Sequence, residues 1–206
     1  MLINIAFYGL IFVLSLFFQR AQGRSALQTG LAFAPMTAVV MVSNVVAGRL
    51  SAGRAARPTL IIGAGLVAGA SLALLDAGPG SDYGALVVPL MGIGFGIGLI
   101  VPIITSALLG SVEPARSGLA AGTLNSARQT GSVLGVATLG SLAGSGLTHG
   151  LHVALIISAA IAVSVIFLSL GLRSSRSPAR SAPADIERPR GRHVTRRSSF
   201  PLSRSG

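Results

Sequence analysis

The chain has 206 residues, of which 51% are hydrophobic and only 10% are charged. Soluble domains carry charge on about a quarter of their residues, so this composition excludes an ordinary water-soluble globule. Every basic residue is an arginine, and the net charge is +11. Cysteine is absent, which excludes a disulfide framework, a thiolate nucleophile and a cysteine metal site.

Six long apolar blocks follow one another along the chain. Blocks of about 17–25 apolar residues match the hydrocarbon core of a bilayer, so we predict six transmembrane helices in an all-α integral membrane protein. The first block has no basic segment before it and no small-residue cleavage site after it, so no cleaved signal peptide is expected. The predicted spans are Leu2–Phe18, Leu31–Ala47, Thr59–Leu75, Ala85–Leu109, Leu119–Leu142 and Val153–Leu172.

Polar residues divide these spans into two groups. Spans two, four and five contain Ser, Thr, Asn or Pro, whereas spans one and six are almost purely apolar. Irregular polar residues at membrane depth are tolerated where a helix faces protein or a water-filled cavity. We therefore expect spans two, four and five to face the interior, and spans one and six to face lipid.

The arginines in the predicted loops give the orientation. Arg20 and Arg24 lie on one side of the membrane, and seven arginines lie on the other. Because cytoplasmic loops carry the excess of Arg, both termini are expected in the cytoplasm. The seven residues are Arg49, Arg54, Arg57, Arg116, Arg173, Arg176 and Arg180.

Residues 173–206 differ from the membrane domain, residues 1–172, in being rich in Arg, Ser and Pro. With few apolar residues to bury, this segment is expected to form a disordered cytoplasmic tail. We interpret it as a topology anchor that touches anionic lipid headgroups. A nucleic-acid partner is not predicted, because Phe200 is the lone aromatic available for stacking.

The fifth span carries the most informative pattern, a polar stripe that includes a charge. At 100° per residue Asn125, Arg128, Gln129 and Ser132 fall within one sector about 120° wide, while Thr123 and Thr130 point the other way. Arg128 lies about 15 Å along the helix from Gly118, near the membrane centre, where Arg costs about 2.5–3.5 kcal/mol. Either Arg128 holds helices together or it lines a wet translocation path, and we favour the path. The predicted path residues are Asn125, Arg128, Gln129 and Ser132, with Asn44 of span two.

Glycines spaced four apart predict close helix packing, since small residues let two backbones approach. No catalytic set is visible, so we predict neither an enzyme nor a cofactor. His149 and His152, placed in a short loop, lack a third ligand, and no metal site is predicted. The predicted packing residues are Gly92, Gly96, Gly118, Gly122, Gly131 and Gly135.

Four stretches together resemble the major facilitator superfamily, and within it the fourteen-helix drug:proton antiporters. The most specific is the fifth span with its leading loop, which is close to that family's E-x-A-G and N-x-x-R-Q-x-G-x-x-x-G pattern. The resemblance covers about residues 1–172 and implies a six-helix, C-terminal half of the fold. The stretches are FYGLIFVLSLFFQRAQGRSALQTGLAFAP, GRLSAGRAARP, GIGFGIGLIVP and EPARSGLAAGTLNSARQTGSVLGVATLG.

Two departures from the family pattern stand out. Ala52 replaces the acidic residue of the 48–58 loop, and no predicted span contains Asp or Glu. The resemblance implies proton-coupled efflux of small amphiphilic compounds across a bacterial inner membrane. The coupling acid would then belong to a missing N-terminal half or to a second membrane chain. Two alternatives remain: a non-transporting scaffold that uses the basic tail, and a truncated gene product without activity of its own.

Overall fold

The computed structural model describes residues 1–50, 55–144 and 146–171. Ala52 and the predicted tail lie outside the described residues, so the domain boundary at 172/173 stays a prediction. The described residues form six long α-helices and, in this part of the chain, no strand. The helices are α1 (Leu2–Leu16), α2 (Ala26–Leu50), α3 (Ala56–Ala73), α4 (Tyr83–Gly110), α5 (Ser117–Ala143) and α6 (Leu147–Gly171).

Short irregular turns extend three of these helices. A π-helical turn, Phe17–Ala21, continues α1, and a 3₁₀ turn, Leu74–Asp76, continues α3. A second 3₁₀ turn, Pro114–Arg116, leads into α5. Tight or wide turns of this kind are common at helix ends, where the regular backbone ladder stops.

Spans two, four and five fall inside α2, α4 and α5, whereas spans one and three end in the irregular turns that continue α1 and α3. Span six lies in α6 as far as Gly171, and its last residue is outside the described residues. Most of the helices extend beyond the apolar block. The clearest case is α6, which begins at Leu147 and therefore contains both His149 and His152. The prediction that these histidines lie in a loop was wrong. An apolar block stops at the first polar residues, whereas the helix continues because its backbone groups remain hydrogen-bonded to each other.

Two packed groups build the bundle: α4 lies against α2 and α3, while α1 lies against α5 and α6. Contacts between α3 and α6 join the groups. Glycines mark the close crossings, since a Cβ placed on Gly63 would come within 2.9 Å of the Gly96 backbone oxygen. A Cβ on Gly94 would likewise lie 2.8 Å from the Met36 backbone oxygen. These contacts fix α4 between α2 and α3 at backbone distance.

The interior of the bundle includes α1, which corrects the expectation that span one faces lipid. Leu10 is 2% exposed, and Val13, Phe17 and Phe18 are fully buried. The sixth helix does present an outward apolar face that includes the exposed Phe167. Lipid tails are as apolar as leucine, so a purely apolar segment suits lipid and protein interior equally. Composition alone could not distinguish α1 from α6.

Five of the described helices are long and apolar enough to cross a membrane, and α5 is the exception. The polar residues of the stripe lower the mean hydropathy of α5. It nevertheless runs parallel to α1, since Gly131 approaches Met1 and Gly140 approaches Phe12. Because the two helices stay in contact over about three turns, α5 crosses the membrane beside α1.

Polar contacts close the two ends of the bundle. At one end, the Arg24 guanidinium lies 5.4 Å from the Phe18 ring centroid and 5.0 Å from that of Tyr83. The Tyr83 hydroxyl donates to the Ala32 carbonyl at 2.9 Å. At the other end, Arg57 Nη2 donates to the Leu170 carbonyl at 2.9 Å. We call these the Arg24 end and the Arg57 end.

Candidate functional site: a cavity beside Arg128

A cavity of about 200 Å³ lies between α1, α2, α4 and α5. It is nearer the Arg57 end, where α1 and α5 begin and α2 and α4 finish. Four lining residues, contributed by α1, α2 and α5, are polar or charged, and the others are apolar. The lining residues are Ile3, Asn4, Phe7, Tyr8, Val40, Asn44, Ile97, Gly98, Val101 and Arg128.

Packing between α5 and α1 sets the direction in which Arg128 points. A Cβ on Gly131 would lie 2.8 Å from the Met1 backbone oxygen and 3.3 Å from the Asn4 Cβ. One turn further on, Gly135 rests directly on the backbone of Ile5. These contacts leave α5 no freedom to rotate against α1. Arg128, one turn before Gly131, is therefore directed between α1 and α4, where it is half-buried.

A short hydrogen-bond chain holds the guanidinium. Arg128 Nη2 donates to Thr105 Oγ1 at 2.5 Å. The Thr105 hydroxyl in turn donates to the Val101 carbonyl at 2.7 Å. Because the hydroxyl proton is used on α4, its oxygen is left to accept from Arg128. Thr105 therefore positions the arginine without neutralising it.

A different contact positions Asn44 on the opposite wall. Its neighbour Ser43 is fully buried, and its hydroxyl donates to the Val39 carbonyl at 2.8 Å. Ser43 sits directly against Gly98 of α4, where a Cβ would collide with the hydroxyl. Anchoring Ser43 in this way turns the next residue, Asn44, toward the cavity.

The remaining predicted path residues lie elsewhere. Asn125 and Gln129 are exposed, and neither is part of the cavity lining. Ser132 is half-buried, and its hydroxyl donates to the backbone oxygen of Arg128 at 2.9 Å, within its own helix. Of the five predicted residues, the structure brings Arg128 and Asn44 together around one cavity.

Three polar residues near the cavity were missed by the sequence reasoning. Asn4 and Tyr8, one turn apart on α1, line it directly, and Thr105 of α4 holds Arg128. The signal was present, since Asn4 and Tyr8 recur at helical spacing within an otherwise apolar block. This spacing was overlooked because span one was expected to face lipid.

The predicted packing glycines also separate into groups. Gly92 and Gly96 meet α3, and Gly131 and Gly135 meet α1. Gly118 and Gly122 have no atom within 4 Å of a Cβ built on them, beyond their own helix. Within the described part of the chain, this third pair therefore has no packing partner.

The charges around the cavity are unbalanced. Asp76, Asp82 and Glu113 occupy turns or caps at the bundle ends, away from Arg128. Among residues 1–50, 55–144 and 146–171, no carboxylate pairs with Arg128, and no cluster of three His, Cys, Asp or Glu is found. The cavity thus presents a positive charge beside two carboxamides and a phenol.

The match to known families decides the identity of this bundle. The sequence pattern of the Major Facilitator Superfamily matches residues 1–136, which span α1 to most of α5. The chain belongs to the Major Facilitator Superfamily. It is accordingly a multi-pass membrane protein whose exposed apolar helix faces contact the lipid bilayer.

Similar curated proteins are named for drug resistance. A methylenomycin A resistance protein of Streptomyces coelicolor is 35% identical, over 87% of this chain and 37% of its own length. A tetracycline resistance determinant of Streptomyces rimosus is 34% identical, over 68% of this chain and 41% of its own length. A puromycin resistance protein of Streptomyces alboniger is 35% identical, over 68% and 28% respectively. This superfamily chain therefore spans less than half the length of these relatives.

Proposed function

We propose that the chain is the C-terminal half of a fourteen-helix drug:proton antiporter that exports small amphiphilic compounds from a bacterial cell. Such a half is a transport module rather than an enzyme, set in the inner membrane with both termini cytoplasmic. The observation that carries the proposal is the half-buried Arg128, which reaches into a cavity without an acid partner among the described residues.

The size of the cavity supports a half-site. Sites for drug-sized ligands occupy about 300–1,000 Å³, whereas this cavity measures about 200 Å³. Transporters built from two repeats place the substrate near the bilayer midplane, where the repeats meet. A second half facing α2 and α5 would enlarge and close the site. Asn125 and Gln129, exposed on α5, would then face the missing half.

The relatives support drug-like substrates. Their names refer to resistance to methylenomycin A, tetracycline and puromycin, and all three are longer than this chain. Asn44 and Arg128 would line the substrate path, and the proton-coupling acid would be supplied by the missing half.

Efflux by a complete transporter tests the proposal. We would express this chain joined to, or together with, its eight-helix N-terminal half in an efflux-deficient bacterium. The complete protein should lower accumulation of tetracycline, puromycin or a related compound, and a protonophore should abolish the effect. Arg128→Ala should abolish it too, whereas Arg116→Ala, an equal charge change at the exposed start of α5, should not.

Deleting residues 174–206 separates the scaffold alternative from transport. A transporter should keep its efflux without the tail, while a scaffold should lose its partners. Unchanged drug accumulation in cells that make the complete protein at normal levels would argue against the transport proposal.

A further inference from the structure

Most hydrogen-bond donors of the Arg128 guanidinium have no acceptor among the described residues. The group carries five N–H donors in a rigid plane. One nitrogen donates to Thr105, and the guanidinium makes no other hydrogen bond to a described residue. Since guanidinium stays charged at any physiological pH, several N–H groups and a full positive charge are left for something that enters the cavity.

The surrounding residues favour an anion over water alone. Asn4 and Asn44 add amide N–H donors, and Tyr8 adds a hydroxyl, so donors converge from α1, α2 and α5. Bidentate pairing of Arg with a planar carboxylate is about twice as strong per bond as a neutral hydrogen bond. These polar residues therefore match a carboxylate better than a cation or a neutral polar group.

The apolar lining residues favour a ligand with a hydrophobic body. Ile3, Phe7 and Val40 face the same space, with Ile97 and Val101 of α4 beside them. Burying a hydrocarbon chain or an aromatic ring against this apolar surface is favourable in free energy. A ligand that contacts both the polar and the apolar lining residues would carry one carboxylate on a compact hydrophobic body.

We propose that this cavity selects amphiphilic monocarboxylates over cationic and neutral molecules of the same shape. The inference rests on the proposed function for its physiological meaning, because the selected compound would be an exported one. Arg128 binds the carboxylate, Asn4 and Asn44 complete its hydrogen bonds, and Thr105 positions the arginine.

Binding to the full 206-residue chain tests the inference directly. The chain would be purified into nanodiscs of phosphatidylcholine, which carries no net charge, and titrated with three radiolabelled probes of one shape. The probes are 1-naphthoate, 1-naphthylmethylammonium and 1-naphthalenemethanol. Because hydrogen bonds to charged groups are stronger than those between neutral groups, naphthoate should bind at least about tenfold more tightly than the other two probes.

Arginine variants assign the preference to one side chain. Arg128→Gln should reduce the naphthoate affinity to that of the neutral alcohol, and Arg128→Lys should retain part of the preference. Arg116→Gln is the matched control, with the same loss of charge on an exposed residue leading into α5, and it should bind naphthoate as the native chain does.

A second variant keeps the test valid should Arg128→Gln fail to fold. Asn44→Asp leaves Arg128 in place and puts a carboxylate on the facing wall. It should abolish naphthoate binding and raise the affinity for the ammonium probe. Asn125→Asp, the same change at an exposed residue outside the cavity, should leave both affinities unchanged.

Three results would overturn the inference: no naphthoate binding to the native chain, equal affinities for the three probes, or a charge preference that survives Arg128→Gln and Asn44→Asp. Efflux by the complete transporter separates this failure from failure of the proposed function. Efflux of all three probes at equal rates would refute anion selection alone. No efflux of any compound would refute the transport proposal.

Discussion

The two halves of α5 carry the same kind of glycine pair and meet opposite surroundings. Gly131 and Gly135, in the second half, lie against the backbone of α1. Gly118 and Gly122, in the first half, meet nothing within 4 Å in the described part of the chain beyond their own helix. Residues 117–126 are exposed almost throughout, although the helix continues unbroken.

This contrast shows that a glycine pair permits close approach without specifying a partner. Small residues lower the steric barrier between two helices, and whether a second helix comes is decided by the rest of the fold. Arg128 lies at the boundary between the two halves, three residues before Gly131. The packed half fixes its direction, and the open half leaves it accessible.

The largest effect should come from filling the packed half. Gly135→Leu places a side chain against the Ile5 backbone, which cannot move aside without displacing α1. Overpacking of this kind costs about 1–3 kcal/mol or more, so the detergent-solubilised chain should lose its sharp thermal transition and its monodisperse elution. A native-like melting curve for this variant would mean that α1 and α5 do not pack as described.

Filling the open half of α5 should leave the stability of this chain unchanged and reduce efflux by the complete transporter. Gly122→Leu meets no neighbour within the described residues, so the melting temperature of the 206-residue chain should stay unchanged. In the complete protein, a helix of the missing half should pack there, and efflux should fall about tenfold, which corresponds to 1.4 kcal/mol. Full efflux with Gly122→Leu would show that this face stays open.

A smaller effect is expected from releasing the arginine between the halves. Thr105→Val keeps the shape of the side chain and removes the oxygen that accepts from Arg128. The loss of one positioning hydrogen bond, worth about 0.5–1.5 kcal/mol, should weaken naphthoate binding about threefold to tenfold. Thr105→Ser keeps the hydroxyl and should bind naphthoate as the native chain does; equal losses in both variants would assign the effect to packing.

The smallest effect should follow from Ser132→Ala. The Ser132 hydroxyl donates to the Arg128 backbone within the same helix, where the carbonyl already has a helical partner. Stability should change by less than about 0.5 kcal/mol, as for substitutions away from packed or charged features. Calorimetric melting in detergent would measure it, and a shift comparable to that of Gly135→Leu would give Ser132 a structural role that its contacts do not show.

The number, order and approximate position of the helices could be predicted, because blocks of membrane length are a direct physical signal. Bundle interior and lipid face could not be assigned by composition, and α1 was misplaced for that reason. The wheel of α5 gave the relative directions of Asn125, Arg128 and Gln129 around their own axis. Their direction relative to neighbouring helices depends on how Gly131 and Gly135 sit on α1, which no single-helix pattern contains.

The π turn after α1 has a mechanical consequence. It holds one residue more than an ordinary turn, and the Gln22 N–H reaches back five residues to the Phe17 carbonyl at 3.1 Å. Restoring regular winding there would swivel the following segment by about 100°. Two contacts oppose that rotation. The Gln22 side chain donates to the Ser81 carbonyl at 3.2 Å, and the Arg24 guanidinium packs on the Phe18 and Tyr83 rings. Gln22 and Arg24 thus tie the end of the π turn to residues 81–83, at the start of α4, and hold the turn in its wide form.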